Sequence, residues 1–78
     1  MSVTVLYFAS LRDAAGTDAE TLPTPASLEA LYDMLRGKHG FALARERLRV
    51  AVDGEFAPWD APVRDGAEIA FIPPVSGG

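Results

Sequence analysis

The 78-residue sequence predicts a single α+β domain in which one main helix packs across one face of a sheet of four to five strands. Three observations predict this fold class. Runs of β-branched and aromatic residues lie at 3–8 and 67–72, only one segment has a clear helical period, and Asp-Gly turns at 53–54 and 65–66 separate short strands. Because one helix covers only one face, the other face of the sheet must meet water or a partner.

The first third of the chain predicts two strands with a short helical turn between them. Residues 3–8 form the first strand, since the run is almost unbroken in β-branched and aromatic residues. Residues 10–16 predict one helical turn that Gly16 closes, because glycine readily adopts the left-handed conformation of a helix end. Residues 18–22 predict a short edge strand before Pro23.

The main helix is predicted over residues 28–39. Ser27 is a good N-cap, and Gly40 can supply the left-handed residue that ends the helix. The apolar side chains at i, i+3, i+4 and i+7 that would face the sheet are Leu28, Leu31, Tyr32 and Leu35. His39 lies next to the negative end of this helix, so it is assigned a structural role rather than a catalytic or metal-binding one.

The second half of the chain predicts a hairpin and a final strand. Residues 41–47 add a further turn, and residues 48–52 then alternate until Asp53-Gly54 reverses the chain into residues 55–56. Residues 67–72 form the last strand, which Pro73-Pro74 ends. Trp59 is expected to act as an aromatic lid over the small core. The predicted element order is β-β-α-β-β-β.

The face away from the helix is predicted to be apolar. If Val3, Val5, Tyr7, Ile69 and Phe71 point toward the helix, the period of two sends four other residues to the far side: Leu6, Phe8, Ala70 and Ile72. Phe56 of the hairpin could extend that patch. An exposed apolar patch of this kind usually marks an interface. The alternative is a sheet curled enough to cover these groups itself.

Composition excludes several classes of function. The chain has no Cys, which removes disulfides, thiolate metal sites and a Cys nucleophile, so no metal is expected. Its net charge of −4 opposes binding to nucleic acid or to an anionic membrane. No phosphate-binding loop, basic leader or membrane-length apolar run is present. We therefore expect a soluble, cytoplasmic protein that binds no cofactor and has proteins as partners.

The last six residues predict a flexible tail, residues 73–78, on a domain that spans 1–78. Pro73 and Pro74 favour an extended backbone, and the tail could reach about 20 Å at ~3.3 Å per residue. Gly77-Gly78 has no side chains to obstruct a narrow channel, so a partner enzyme could thread it and activate the terminal carboxylate as an acyl-adenylate. The alternative is a frayed terminus without function.

Two segments carry a family resemblance. Residues 5–12 read Val-Leu-Tyr-Phe-Ala-Ser-Leu-Arg, and residues 71–78 read Phe-Ile-Pro-Pro-Val-Ser-Gly-Gly. They resemble the opening strand and the C-terminal signature of the MoaD-type sulfur carriers, the small subunits of molybdopterin synthase. The helix start at Ser27 and the hairpin at 50–54 also lie where the family places them. The resemblance implies a ubiquitin-like β-grasp fold with the first and last strands adjacent and parallel at the centre of a mixed sheet.

The resemblance also implies a function in molybdenum cofactor biosynthesis. In that family an E1-like adenylyltransferase uses ATP to activate the residue matching Gly78, which becomes a thiocarboxylate and gives its sulfur to cyclic pyranopterin monophosphate (precursor Z). The tail residues that would enter the large subunit are Val75, Ser76, Gly77 and Gly78. The residues that would dock the body are Phe8, Phe56, Ile72, Pro73 and Pro74. The implied assembly has two small and two large subunits, with the small one non-catalytic.

Three alternatives remain at this point. The chain could be a carrier for thiamine or another sulfur pathway, although Pro73-Pro74-Val75 before Ser76 favours the molybdopterin branch. It could be a ubiquitin-like modifier joined to target lysines, for which its single lysine, Lys38, disfavours self-chains. It could also be a plain interaction domain whose tail has no role.

Overall fold

The computed structural model describes residues 1–74. Within that range the elements are β1 (Ser2–Tyr7), α1 (Ala9–Ala15), β2 (Ala19–Pro23), α2 (Leu28–His39), a 3-10 turn (Arg45–Arg47), β3 (Arg49–Val52), β4 (Glu55–Ala57) and β5 (Glu68–Ile72). Residues 75–78, which the sequence assigns to tail insertion, lie outside the described residues. The expectation of a flexible tail over 73–78 therefore stays a prediction.

The strands form one mixed sheet in the order β2-β1-β5-β3-β4. β1 pairs in parallel with β5, placing Leu6 beside Ala70 and Tyr7 beside Phe71, while the other neighbours are antiparallel. The first and last strands therefore lie side by side within the sheet, as the resemblance implied. With α2 across one face, this arrangement is the β-grasp.

The helix boundaries agree closely with the sequence. α2 covers the predicted range, the Ser27 hydroxyl accepts a 3.0 Å hydrogen bond from the Ala30 amide, and Gly40 is left-handed with φ of 72°. α1 also ends where predicted, at left-handed Gly16, but its seven residues make about two turns instead of one. Each helix thus ends where glycine tolerates a positive φ.

The second strand differs slightly from its prediction. β2 begins and ends one residue later than expected and includes Pro23, which lies opposite Ser2. Proline cannot donate to a strand ladder, so it is tolerated only at an edge. β2 is an edge strand, which explains how Pro23 can close it.

The core lies between the sheet and α2. All five side chains predicted to face the helix are buried, at 2% exposure or less: Val3, Val5, Tyr7, Ile69 and Phe71. They pack with the buried side chains of α2 and with Leu11 of α1. Trp59 stacks on Phe71 with ring centroids 5.8 Å apart and is only partly exposed, so its predicted role as a lid is confirmed.

Both predicted Asp-Gly turns are present. Asp53 and Gly54 have φ of 53° and 86° between β3 and β4, the positive values that a tight two-residue hairpin requires. Gly66 has φ of 82° in the second turn, before β5. The Asp53 carboxylate also accepts a 3.0 Å hydrogen bond from the Glu68 amide and pairs with Arg64 at 2.9 Å. This carboxylate therefore fixes the hairpin turn to the start of β5.

Candidate functional site

The side of the sheet opposite α2 carries a continuous apolar surface, which we call the apolar face. Its members come from four strands and the residue after β1: Leu6, Phe8, Ala51, Phe56, Ala70 and Ile72. They line a groove of about 250 Å³ that Gly54 and Glu68 complete. The far side of the sheet is therefore apolar, as the alternation of side chains predicts.

The strand register explains the shape of this groove. Leu6 lies beside Ala70, Ala70 beside Ala51, and Ala51 beside Phe56, which makes one row across β1, β5, β3 and β4. The two alanines form a low floor, while larger side chains stand at both ends of the row. A ridge from a partner can therefore enter between those ends.

The aromatic walls of the groove remain open to solvent. Phe8 is 45% exposed and Phe56 is 64% exposed, whereas the floor residues Ala51 and Ala70 are 8% and 9% exposed. A partner that covers this apolar surface gains roughly 25 cal/mol of favourable free energy for each Å² removed from water. The alternative in which the sheet curls to cover its own apolar groups is therefore wrong for the two phenylalanines.

The position of Phe8 depends on an unusual backbone conformation next to it. Ala9 has φ of 53°, which is left-handed and costs a non-glycine residue on the order of 1 kcal/mol. This conformation turns the chain directly from β1 into α1, with Phe8 as the residue before the helix. Phe8 therefore stands at the end of the strand, beside the groove.

The end of β5 brings the base of the tail to the same groove. Ile72, the last residue of β5, lines the groove together with Phe8 and Phe56, so the structure brings together three members of the predicted docking set. Pro73 and Pro74 follow directly but do not line it. The predicted insertion residues 75–78 lie outside the described part of the chain.

Part of the groove lies outside the predicted docking set. Leu6 and Ala70 are predicted on this face but not as docking residues, and Ala51 is predicted in the strand over residues 48–52 without assignment to a face. The signal for Ala51 was available, because it alternates with buried Val50 in a four-residue strand. A small side chain such as that of Ala51 gives a weak hydrophobic signal in the sequence, although its small size is what makes room for the groove.

A polar cluster lies on the other side of the sheet, the side that α2 covers. Glu20 of β2 accepts a 2.7 Å hydrogen bond from the Tyr7 hydroxyl, lies 3.0 Å from His39 Nε2, and pairs with the Lys38 ammonium. The hydrogen bond from Lys38, helped by those from His39 and Tyr7 and opposed by burial, lowers the pKa of Glu20 to about 2. Burial and the Glu20 carboxylate raise the pKa of Tyr7.

This cluster joins β1, β2 and α2. His39 is the last residue of α2, as predicted, and its contact with Glu20 gives it the structural role expected of it. Sequence reasoning missed the contact because Glu20 and His39 are 19 positions apart. Within residues 1–74, no group of three or more His, Cys, Asp or Glu side chains is placed to hold a metal.

Among the helices of residues 1–74, none combines the length and the hydropathy that a membrane span requires. Residues 1–74 also contain no buried side-chain nitrogen or oxygen that lacks a hydrogen-bond partner.

Comparison with known proteins gives consistent results over the whole chain. The ThiS family model matches residues 5–78. The molybdopterin synthase sulfur carrier subunit of Escherichia coli is 36% identical, with 97% of this chain and 99% of the relative covered. The subunit of the same name from Haemophilus influenzae is 40% identical, with 95% and 96% covered.

Solved structures share the fold of this chain. SAMP1 from Haloferax volcanii superposes with a TM-score of 0.81 at 27% identity, covering 100% of both chains. A chain in the complex of subunits 1 and 2 of the molybdopterin-converting factor from Helicobacter pylori superposes with a TM-score of 0.71 at 24% identity, again over 100% of both chains. By its sequence and its β-grasp fold, the chain belongs to the ThiS family.

Proposed function

We propose that this chain is the sulfur-carrier subunit of molybdopterin synthase, which brings sulfur on its C-terminal Gly78 to the large subunit. The observation that carries the proposal is the similarity to sulfur carrier subunits over nearly the full length of both chains. The groove on the apolar face supports it, because Ile72 lies in the groove and the tail begins at the next residue.

The reaction depends on the tail. An E1-like partner enzyme uses ATP to convert the Gly78 carboxylate into an acyl-adenylate with release of pyrophosphate, since a free carboxylate is a poor electrophile. A donor of sulfide-level sulfur then attacks the acyl carbon and displaces AMP, which leaves a thiocarboxylate. This chain binds no cofactor in the proposal, and it supplies the sulfur while the partners supply the catalytic groups. It is therefore a non-catalytic subunit of a sulfurtransferase.

The large subunit is the proposed acceptor of that sulfur. It holds cyclic pyranopterin monophosphate, and residues 75–78 enter its pocket while Phe8, Phe56 and Ile72 dock on its surface. Pro73 and Pro74 lie between the docked body and the inserted residues. The proposed assembly contains two small and two large subunits, works in the cytoplasm, and involves neither nucleic acid nor membrane. The relatives named molybdopterin synthase sulfur carrier subunit support a partner of this kind, since they are one subunit of a larger enzyme.

Two measurements test the proposal. Incubation with the cognate E1-like enzyme, ATP and a sulfur donor should shift the intact mass by one sulfur-for-oxygen exchange. The thiocarboxylated chain, mixed with the large subunit and the pterin precursor, should then yield molybdopterin. An unchanged mass would contradict the carrier role itself. A normal mass shift without molybdopterin would point to another sulfur pathway, such as thiamine synthesis.

A second candidate function is protein modification. It is favoured by the superposition on SAMP1 from Haloferax volcanii, which is known as small archaeal modifier protein 1. In that case the activated Gly78 would be joined to lysine side chains of other proteins. Incubating the chain with ATP, the E1-like enzyme and cell extract would reveal such conjugates as higher-mass bands, which a Gly78 deletion should remove.

A further inference from the structure

One charged side chain stands on the apolar face at the end where the tail begins. Arg49 is the first residue of β3 and lies opposite Ile72, the last residue of β5. Its neighbour Val50 is buried at 1% exposure, so alternation places Arg49 on the same side as Ala51. The charge therefore sits beside the groove.

The guanidinium of Arg49 is held by an aromatic ring. Its central carbon lies 4.8 Å from the centroid of the Phe56 ring, within the range of a cation–π contact. Phe56 is also one of the two aromatic walls of the groove. Such stacking occupies one face of the guanidinium but leaves its N–H edge free to donate hydrogen bonds.

Arg49 has no carboxylate partner among the described residues. The ion pairs of residues 1–74 engage five other basic side chains: Arg12, Lys38, His39, Arg45 and Arg64. The sequence contains eleven acidic residues against seven basic ones, so intramolecular partners are plentiful in number. The fold nevertheless leaves Arg49 unpaired in this range, on the face that a partner would cover.

Covering that face changes the environment of the charge. A partner that fills the groove takes water away from the guanidinium, and a desolvated charge is costly unless it is paired and hydrogen-bonded. The planar fork of arginine matches a carboxylate in a two-point hydrogen bond even while it is stacked on a ring. A carboxylate facing Arg49 would therefore satisfy the charge and fix the register of docking.

We propose that Arg49, held over Phe56, is a carboxylate-binding site on the docking surface, and that an Asp or Glu side chain of the large subunit occupies it. This inference rests on the proposed function, because it takes the large subunit as the partner. The phosphate of cyclic pyranopterin monophosphate is a poorer candidate for the group that binds Arg49. That substrate would lie near Gly78, which residues 73–78 can separate from Arg49 by about 20 Å.

The test compares charge changes at two nearby arginines. Arg47 is a matched control because it is exposed, lies in the 3-10 turn, forms no ion pair within residues 1–74 and does not line the groove. Affinity of each variant for the cognate large subunit is measured by titration calorimetry. Thermal unfolding followed by circular dichroism checks that each variant folds.

Losses of about tenfold or more are expected for Arg49→Gln, and of about a hundredfold for Arg49→Glu, as for a charge pair buried at an interface. Arg49→Lys should recover only part of the affinity because an ammonium lacks the planar fork. Arg47→Gln and Arg47→Glu should bind within about threefold of wild type, as rim charges do. In the large subunit, one Asp→Arg or Glu→Arg change should restore binding of Arg49→Glu.

Each other outcome is decisive. Equal losses at Arg47 and Arg49 would indicate only the overall charge of the chain and would overturn the site. Wild-type affinity of the Arg49 variants, together with lost binding of Phe56→Arg, would overturn the site and leave the proposed function intact. Absence of binding by the wild-type chain would overturn the proposed function, and this inference with it. If Arg49→Glu does not fold, the Gln and Lys variants decide.

Discussion

The Tyr7 hydroxyl donates a 2.7 Å hydrogen bond to the Glu20 carboxylate, joining β1 to the edge strand β2. The same carboxylate pairs with Lys38 and approaches His39 at the end of α2. Glu20, with a side chain only 18% exposed, therefore ties three elements together. In a domain this small, such a contact is a sizeable share of the total stability.

Replacing Glu20 should reveal a pH-dependent contribution to stability. The pKa of Glu20 falls from 4.5 to about 2 in the folded state, so its contribution is complete above pH 4.5 and is lost as the pH falls toward 2. Glu20→Gln should cost about 1 to 3 kcal/mol at pH 7, as hydrogen bonds to charged groups do. Urea unfolding at several pH values measures this difference.

A control variant separates this effect from a general change of charge. Glu46 is exposed in the 3-10 turn, and Glu46→Gln should change the free energy of unfolding by less than about 0.5 kcal/mol. A difference between wild type and Glu20→Gln that persists unchanged at pH 2 would show that the Glu20 charge is not responsible.

Phe8→Arg should weaken binding to the large subunit by about tenfold or more, because the aromatic anchor is lost and the introduced charge would be desolvated when the partner docks. Its effect on folding should be small, since Phe8 is 45% exposed. Met34 on α2 is a matched control at 47% exposure on the other side of the sheet. If Met34→Arg weakens binding equally, or if Phe8→Arg binds like wild type, the apolar face is not the docking surface.

Deleting Gly78 should abolish sulfur delivery and leave folding intact. The fold described for residues 1–74 accounts for a complete sheet and core without the last residue. Thermal unfolding should therefore be unchanged, while molybdopterin formation with the large subunit should be lost. Loss of folding on this deletion would contradict the view that the reactive end and the body are separate.

Ile69→Ala should unfold much of the population. Ile69 is fully buried on the central strand β5, beside Val5 and Val52, and truncation to Ala there costs about 2 to 5 kcal/mol. A single core of this size rarely supplies more than about 3 to 5 kcal/mol. The milder Ile69→Val should cost about 0.5 to 1.5 kcal/mol in urea unfolding. Equal losses for the two variants would contradict cavity formation as the cause.

The local features of the fold could be predicted from the sequence. The boundaries of α2 follow from Ser27 and Gly40, and the hairpin follows from Asp53-Gly54, because each signal acts over a few neighbouring residues. The parallel pairing of β1 and β5 followed only from the family resemblance, because the residues of each strand do not specify which other strand it pairs with. The same holds for Glu20 and His39, which meet only through the packing of α2 on the sheet.

Only part of the candidate site could be predicted, because the rest depends on contacts between residues far apart in the sequence. Alternation placed Phe8 and Ile72 on the apolar face, and the hairpin added Phe56. Alternation could not show that Ala51 and Ala70 would form the floor of a groove, because that floor depends on the register of β3, β4 and β5. Nor could it place Arg49 over Phe56, a contact between strands that only the hairpin geometry fixes.

The pairing of β1 with β5 also affects how the molecule is made. Val5 cannot meet its partner Ile69 until more than sixty intervening residues have been synthesised, and contacts so distant in sequence slow folding. A nascent chain interrupted before Glu68 lacks the strand that joins β1 to β3, so its two halves have no common sheet. The sheet can therefore close only after the chain has been translated as far as the base of its tail.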